Sequence, residues 1–285
     1  MQRIIVPIDF SEESIKGLEL GIIYANKFNA DLQMVFVQKK KSGRFHIELR
    51  KQYDAAMEEF EDLLRKYKAK LHQNCDFSYI IKSGKVHEEV ARQAEAFDDS
   101  LIICSTNGES GFSDFIIGSN AYKIVQATER PVITVTTEKY IGEVKRIVLP
   151  IDISKETREK VPVVAKIAKA FNSEVHIVKV TSSTSEGIHN KLRLYATQIK
   201  KFLTEQGISY QTTLLVGDNI TDTIIEYATA IDADLTAIMT EQTFSLSNFL
   251  LGSYAYQMLN TSPVPVLSIT PKGLYHTQGV RTTGG

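Results

Sequence analysis

The residues best suited to chemistry in this chain form a small-residue segment, Ser105-Thr106-Asn107-Gly108-Glu109-Ser110-Gly111, followed shortly by Gly118-Ser119-Asn120. Glycines let backbone N–H groups approach a ligand closely. A helix beginning near Ser119 would offer free amide donors and the positive end of its dipole to an anion, with the Ser119 hydroxyl as a further donor. That chemistry is phosphate recognition. A turn whose glycines supply positive φ explains the same residues equally well. Asp9, reached through Pro7 and Ile8, is the second candidate. Its carboxylate could accept hydrogen bonds from a ribose or purine, or cap a helix that starts at Ser11.

Other catalytic equipment is missing from the sequence. There is no Walker A loop, no G-x-G-x-x-G, no H-E-x-x-H and no G-x-S-x-G. His46, His72, His87, His176, His189 and His276 fall in no metal-ligand spacing. Cys75 and Cys104 are too few for a disulfide framework or a zinc site, and Cys104 ends the apolar run Leu101-Ile102-Ile103, where a buried thiol is expected. We therefore expect no strong catalysis.

Positioning these residues falls to a fold that the chain encodes twice. Arg3-Ile4-Ile5-Val6-Pro7-Ile8-Asp9 returns as Arg146-Ile147-Val148-Leu149-Pro150-Ile151-Asp152, 143 positions later. Ile116-Ile117-Gly118-Ser119-Asn120-Ala121-Tyr122 is echoed by Leu250-Leu251-Gly252-Ser253-Tyr254-Ala255-Tyr256, and Pro131-Val132 by Pro265-Val266. In the first copy, runs at 4–6, 32–37, 77–81, 101–104 and 132–135 have the β-branched, non-alternating character of strands buried on both faces. Stretches at 11–28, 48–71, 86–97 and 116–127 have helical spacing between them. The second copy repeats this with strands at 147–149, 175–180, 210–216, 235–239 and 266–269, and helices at 155–171, 190–205, 221–231 and 250–259. The expected class is α/β: two repeated doubly wound, Rossmann-like domains, each with a five-stranded parallel sheet. We assign 1–138 to domain 1, 139–145 to a linker, 146–272 to domain 2 and 273–285 to a polar tail. Such sheets hold ligands beyond the carboxyl ends of their strands. The basic run Lys39-Lys40-Lys41 with Arg44 follows the second strand on that edge; it reads as a solvated loop with a weaker phosphate-facing alternative.

The composition is that of a globular protein, 43% hydrophobic and 24% charged, and its net charge of −1 gives no reason to expect nucleic acid or an anionic membrane as partner. No 18-residue apolar stretch and no signal-like start are present, so a cytoplasmic location is expected.

Several residues together resemble the universal stress protein family, as a tandem two-domain member. They are the first strand ending in Pro-Ile-Asp, the Asp99-Ser100-Leu101-Ile102-Ile103 and Ala233-Asp234-Leu235 approaches to the fourth strand, and the closing Gly-Ser helix with its Pro-Val strand. The resemblance spans about 3–136 and 146–270 and implies the adenine nucleotide alpha hydrolase-like fold. ATP-binding members carry Gly, two residues, Gly, nine residues, Gly-Ser. Domain 1 matches with Ser105 at the first glycine, then Gly108 and Gly118-Ser119. By that resemblance Gly108, Gly111, Gly118, Ser119 and Asn120, with Ser105, Thr106 and Asn107, would line the phosphates. Pro7, Ile8, Asp9 and Val37 would cradle adenine and ribose, and magnesium would arrive with the nucleotide. Ser105 and Glu109 are departures, and a carboxylate beside a triphosphate opposes binding. Domain 2 has Met239 and Gln242 at the two loop-glycine positions and is expected to be degenerate, without a ligand.

The resemblance also implies pairing of the last strands of the two domains, an intramolecular pseudo-dimer, with homodimerisation and protein partners left open. The main alternative is a nucleotide-free interaction module. An AMP-forming ligase, which needs a Gly-rich pyrophosphate loop after the first strand, fits poorly with Asp9-Phe10-Ser11-Glu12-Glu13.

Overall fold

The computed structural model describes residues 1–38, 46–105, 119–135, 142–240, 242–245, 248–251 and 253–271, without the side chains of 46, 47, 119, 242–245 and 248–251. The first half runs β1 (Arg3–Pro7), α1 (Glu12–Phe28), β2 (Asp31–Gln38), α2 (His46–Tyr67), β3 (Phe77–Ser83), α3 (Val86–Glu95), β4 (Ser100–Ser105), α4 (Ser119–Ala127) and β5 (Val132–Val135). The second half runs β6 (Arg146–Ile151), α5 (Val161–Phe171), β7 (Glu174–Thr181), α6 (Glu186–Glu205), β8 (Tyr210–Val216), α7 (Ile220–Ala230) and β9 (Leu235–Met239). A hairpin, β10 (Gln242–Ser245) and β11 (Asn248–Leu251), then precedes α8 (Ser253–Thr261) and β12 (Val266–Ile269).

The strands of both halves join one ten-stranded sheet in the order β3-β2-β1-β4-β5-β12-β9-β6-β7-β8. Within each half every pairing of this sheet is parallel, and β10 and β11 form a separate antiparallel pair. The halves meet where β5 and β12 pair antiparallel, with Leu267 opposite Ile133. The two last strands thus complete each other's edge, which removes two exposed apolar edges at once. The join is pseudo-two-fold: Tyr122 of α4 and its counterpart Tyr256 of α8 meet edge-on at 5.4 Å between ring centres.

Helices cover both faces, as central parallel strands require. Ile4 and Val6 of β1 pack with Phe60 of α2 and Leu18 of α1 on one face, and the same core continues to Ile167 of α5 and Ile199 of α6. The intervening Ile5 points to the other face, with Val90 of α3, Ile124 of α4, Ile224 of α7 and Met258 of α8. This alternation explains why the strands read as unbroken apolar runs. Across the domain boundary Lys166 Nζ donates to both Asp99 oxygens, at 3.0 and 3.2 Å.

Several elements depart from the sequence reading. The helix expected from Lys155 begins only at Val161, after a 3-10 turn at Glu156–Arg158. Pro162 is favoured in the first helical turn, where its missing N–H costs nothing, and so sets a late start. The segment after β9, read as a loop, is the β10–β11 hairpin, and α8 starts at Ser253 rather than Leu250. Helix α6 begins at Glu186, ahead of the expected Asn190. No helix among the described residues is long and apolar enough to cross a membrane.

Candidate functional site

Strand order fixes where a ligand can sit. In the first half β1 lies between β2 and β4: the chain runs from β1 through β2 to β3 on one side, then crosses back to β4 on the other. The crevice beyond the carboxyl ends of these strands is the switch point. Five of the sequence candidates converge there. Pro7 ends β1 opposite Val35 of β2. Ile8 continues the ladder by donating its N–H to the Val35 carbonyl at 2.9 Å, and Asp9 follows it, half-buried. Val37 is buried near the end of β2, and Ser105 ends β4, paired with Val135.

Asp9 braces the start of α1 through one carboxylate oxygen. Its Oδ1 accepts from the Ser11 N–H at 3.2 Å and from the Ser11 hydroxyl at 2.6 Å. Ser11 in turn is the N-cap of α1, its oxygen accepting from the Ser14 N–H at 3.2 Å. This local network satisfies backbone donors that a helix start would otherwise leave orphaned. Oδ2 accepts no hydrogen bond among the described residues. The two readings of Asp9 are therefore compatible, one oxygen for each. Phe10, next along, is held at φ 65°, a left-handed backbone rare for a bulky residue. Its ring packs on Phe36 of β2 at 5.3 Å and Phe60 of α2 at 5.0 Å, which anchors the loop from beneath.

Of the remaining candidates, Thr106, Asn107, Gly108, Gly111 and Gly118 lie outside the described residues, as do Glu109 and the basic segment Lys39-Lys40-Lys41 with Arg44. Ser119 and Asn120 open α4, as the anion-site reading requires, and Asn120 is exposed. Cys104, just before Ser105, is buried, and desolvation pushes its thiol up to about 12. It is a packing residue, not a nucleophile. Among the described residues no group of three or more His, Cys, Asp or Glu could hold a metal ion.

One contributor was missed in the sequence. Gly17 of α1 faces the end of β4 so closely that a Cβ there would lie 3.6 Å from the Ser105 amide nitrogen. A larger side chain at this position would enter the crevice at the root of the glycine-rich loop. Counting eight residues on from the repeated aspartates finds it: Gly17 follows Asp9 as Lys160 follows Asp152.

The second half preserves the cap and changes the rest. Asp152 Oδ1 accepts from the Ser154 N–H at 2.8 Å and the Ser154 hydroxyl at 2.5 Å. Lys160 stands where domain 1 has Gly17, and β9 ends at Met239, where domain 1 has Ser105.

The universal stress protein family model matches residues 1–136 and again 143–269. A curated universal stress protein of Methanocaldococcus jannaschii is 28% identical over 139 residues, 44% of this chain and 81% of that protein. Among solved structures, a universal stress protein from Archaeoglobus fulgidus superposes with a TM-score of 0.78 at 19% identity, covering 94% of this chain and 98% of that one. A putative universal stress protein from Pseudomonas aeruginosa gives 0.70 at 20% identity, covering 96% and 95%. The two family matches coincide with the two halves of the sheet, and the chain belongs to the universal stress protein family, with two of its domains in tandem.

Proposed function

We propose that the chain is an adenine nucleotide-binding regulatory protein of the stress response, holding ATP in domain 1 while domain 2 serves as its structural partner. The observation that carries this reading is the convergence of Asp9, Val37 and Ser105 on the switch point of the first half, with Gly17 of α1 packed closely against the end of β4. The sequence continues from Ser105 into Gly108 and, after nine intervening residues, Gly118, with Ser119 opening α4. Backbone amides and the α4 dipole would meet the phosphates. The free Asp9 oxygen would accept from the ribose, and Pro7, Ile8 and Val37 would supply an apolar wall for adenine. Magnesium would be held chiefly by the phosphates. In this reading the protein works by conformation and partners, with ATP turnover slow at most.

The test is direct. Purified protein is expected to carry adenine nucleotide, seen as excess absorbance at 260 nm. Added MgATP should raise the melting temperature, and Gly118→Val should abolish that rise. No rise at millimolar MgATP sinks the proposal and favours the nucleotide-free interaction module, the reading that Ser105 and Glu109 support.

A further inference from the structure

The outermost strands of the sheet are β3 and β8, and the two edges are finished differently. In domain 1, Phe77 through Lys82 are all at least partly buried, Tyr79 stacks on Phe60 of α2 at 4.5 Å, and Ile81 packs on the same core. In domain 2, Gln211, Thr212, Leu214 and Val216 of β8 are exposed, Leu214 by 42% and Val216 by 54%. An edge strand recruits another chain unless a charge, a proline or a bulge blocks it. Tyr210–Val216 carries neither charge nor proline, and its pairing with β7 runs unbroken from end to end.

The backbone of this edge is free at alternate residues. The Val175 N–H donates to the Ser209 carbonyl at 2.9 Å, and the Gly217 N–H to the Thr181 carbonyl at 3.2 Å. Odd-numbered residues of β8 therefore turn their polar groups towards β7, and those of Thr212, Leu214 and Val216 point off the sheet. The same three side chains lie on the α6 side, because Tyr210 packs in that core and Leu215 in the opposite one.

The rim above them is basic. Thr204 of α6 donates to the Tyr210 hydroxyl at 3.3 Å, so the helix row Arg193, Thr197, Lys200, Thr204 runs along β8. Lys179, in register with Leu214, faces this helix; burial lowers its amine, and the charges of Lys200 and Arg193 lower it further. None of these cations forms an ion pair with a described residue, and Arg193 donates to the neutral Asn190. Nearby acids are engaged elsewhere: Glu205 with Lys201 at 4.0 Å, and Glu174, on the opposite face, with Gln211 at 3.0 Å. Domain 1 has Phe36 in the place of Lys179, packed on Phe10.

We propose that β8 is a docking edge for an extended acidic segment of a partner protein. The segment adds a strand along Thr212, Leu214 and Val216 and sets its carboxylates beside Lys179, Arg193 and Lys200. Charge decides among the possible occupants. A second copy paired two-fold through β8 would bring two such basic clusters together. Residues 272–285 of this chain hold Lys272 and Arg281 and no acid, so they do not complement the rim either. The edge is remote in the sheet from the domain 1 crevice and does not depend on nucleotide binding there.

The experiment titrates the full chain into fluorescein-labelled, end-capped heptapeptides, one alternating Glu and Val and one alternating Lys and Val, and reads anisotropy. The Glu peptide should bind saturably and the Lys peptide should not. Arg193→Glu with Lys200→Glu should weaken binding by at least about tenfold. Thr212→Pro should abolish it at an unchanged melting temperature, because the N–H it removes points away from the ladder. A second measurement needs no variant: with the Glu peptide bound, the amides of Thr212, Leu214 and Val216 must gain protection from hydrogen exchange. Equal binding of the two peptides, no binding at millimolar peptide, indifference to the charge reversals, or binding without that protection overturns the proposal. So does a sedimenting dimer that Thr212→Pro converts to monomer, which would give the edge to self-association.

Discussion

The two carboxyl edges of this molecule, one per domain, share a scaffold and differ in what it holds. After β1, Asp9, Ser11 and Ser14 form a closed set of bonds; after β6, Asp152, Ser154 and Thr157 form nearly the same set. The aspartate-to-serine contacts are 2.6 and 2.5 Å, and the aspartate N–H reaches the third hydroxyl at 3.4 and 3.2 Å. The repeated aspartate thus belongs first to the fold, because its network survives in a half that lacks both loop glycines. Function must be sought in the residues that change. These are Gly17 against Lys160, Ser105 against Met239 and Gly108 against Gln242.

The comparison is easiest to break at the seam. Ile133 and Leu267 face each other across β5 and β12, and both are fully buried. If the halves are equivalent there, Ile133→Ala and Leu267→Ala each cost about 2–5 kcal/mol of stability in urea unfolding. Because the residues touch, the double variant should cost less than the sum. A loss confined to one of the two would show that one domain carries the join.

Next in size is Phe10 against Ile153, which occupy the same place after the aspartate. Phe10 packs on two aromatic rings in a left-handed conformation, whereas Ile153 is 39% exposed. Phe10→Ala should cost about 2–4 kcal/mol, and Ile153→Ala no more than about 0.5 kcal/mol. Equal costs would mean that the loop of domain 1 is not specially anchored.

The repeat and the parallel strands were legible because buried β-branched runs and recurring Pro-Ile-Asp report the fold directly, whereas the pairing of the last strands followed only from the resemblance to the family. What was illegible depends on distance in space. The β10–β11 hairpin shows no turn signature that sets it apart from a polar loop. The late start of α5 turns on Pro162, whose effect the helical spacing from Lys155 masked. Lys160 reads as an ordinary surface lysine in one dimension, since a sequence does not show that its stem runs inward. The Asp9 alternatives could not be separated because one carboxylate oxygen makes all the contacts at the helix start and the other accepts none among the described residues.

Lys160 also makes the comparison titratable. Burial lowers its amine to about 8, with Asp152 partly offsetting this. The unfolded chain therefore holds more protons than the folded one between pH 8 and about 10.5, and stability gained from this residue rises with pH over that window. Below pH 8 the charged amine is a full penalty. Lys160→Met should thus stabilise the protein at pH 7 by about 1–3 kcal/mol, the advantage shrinking towards pH 10. The reciprocal change, Gly17→Lys, should remove the MgATP-induced thermal shift of domain 1, whereas Gly17→Ala should leave the fold intact because its Cβ meets only ordinary contacts.

The smallest effect probes the most faithful part of the repeat. Helices α1 and α5 both end at an asparagine in the left-handed region, Asn29 at φ 50° and Asn172 at φ 56°. Each backbone N–H closes onto the helix, Asn29 to Ala25 and Asn26, Asn172 to Ala168. Glycine relieves the residual strain of a left-handed Cβ, so each Asn→Gly change should stabilise by a few tenths to about 1 kcal/mol. The gains should not be equal. Asn29 Oδ1 also accepts a weak contact from Cys75 Sγ at 3.7 Å, which glycine forfeits. Asn172→Gly should therefore gain slightly more in paired urea melts. The reverse order would mean that even the helix caps, the most closely copied local structure of the two domains, answer to different surroundings.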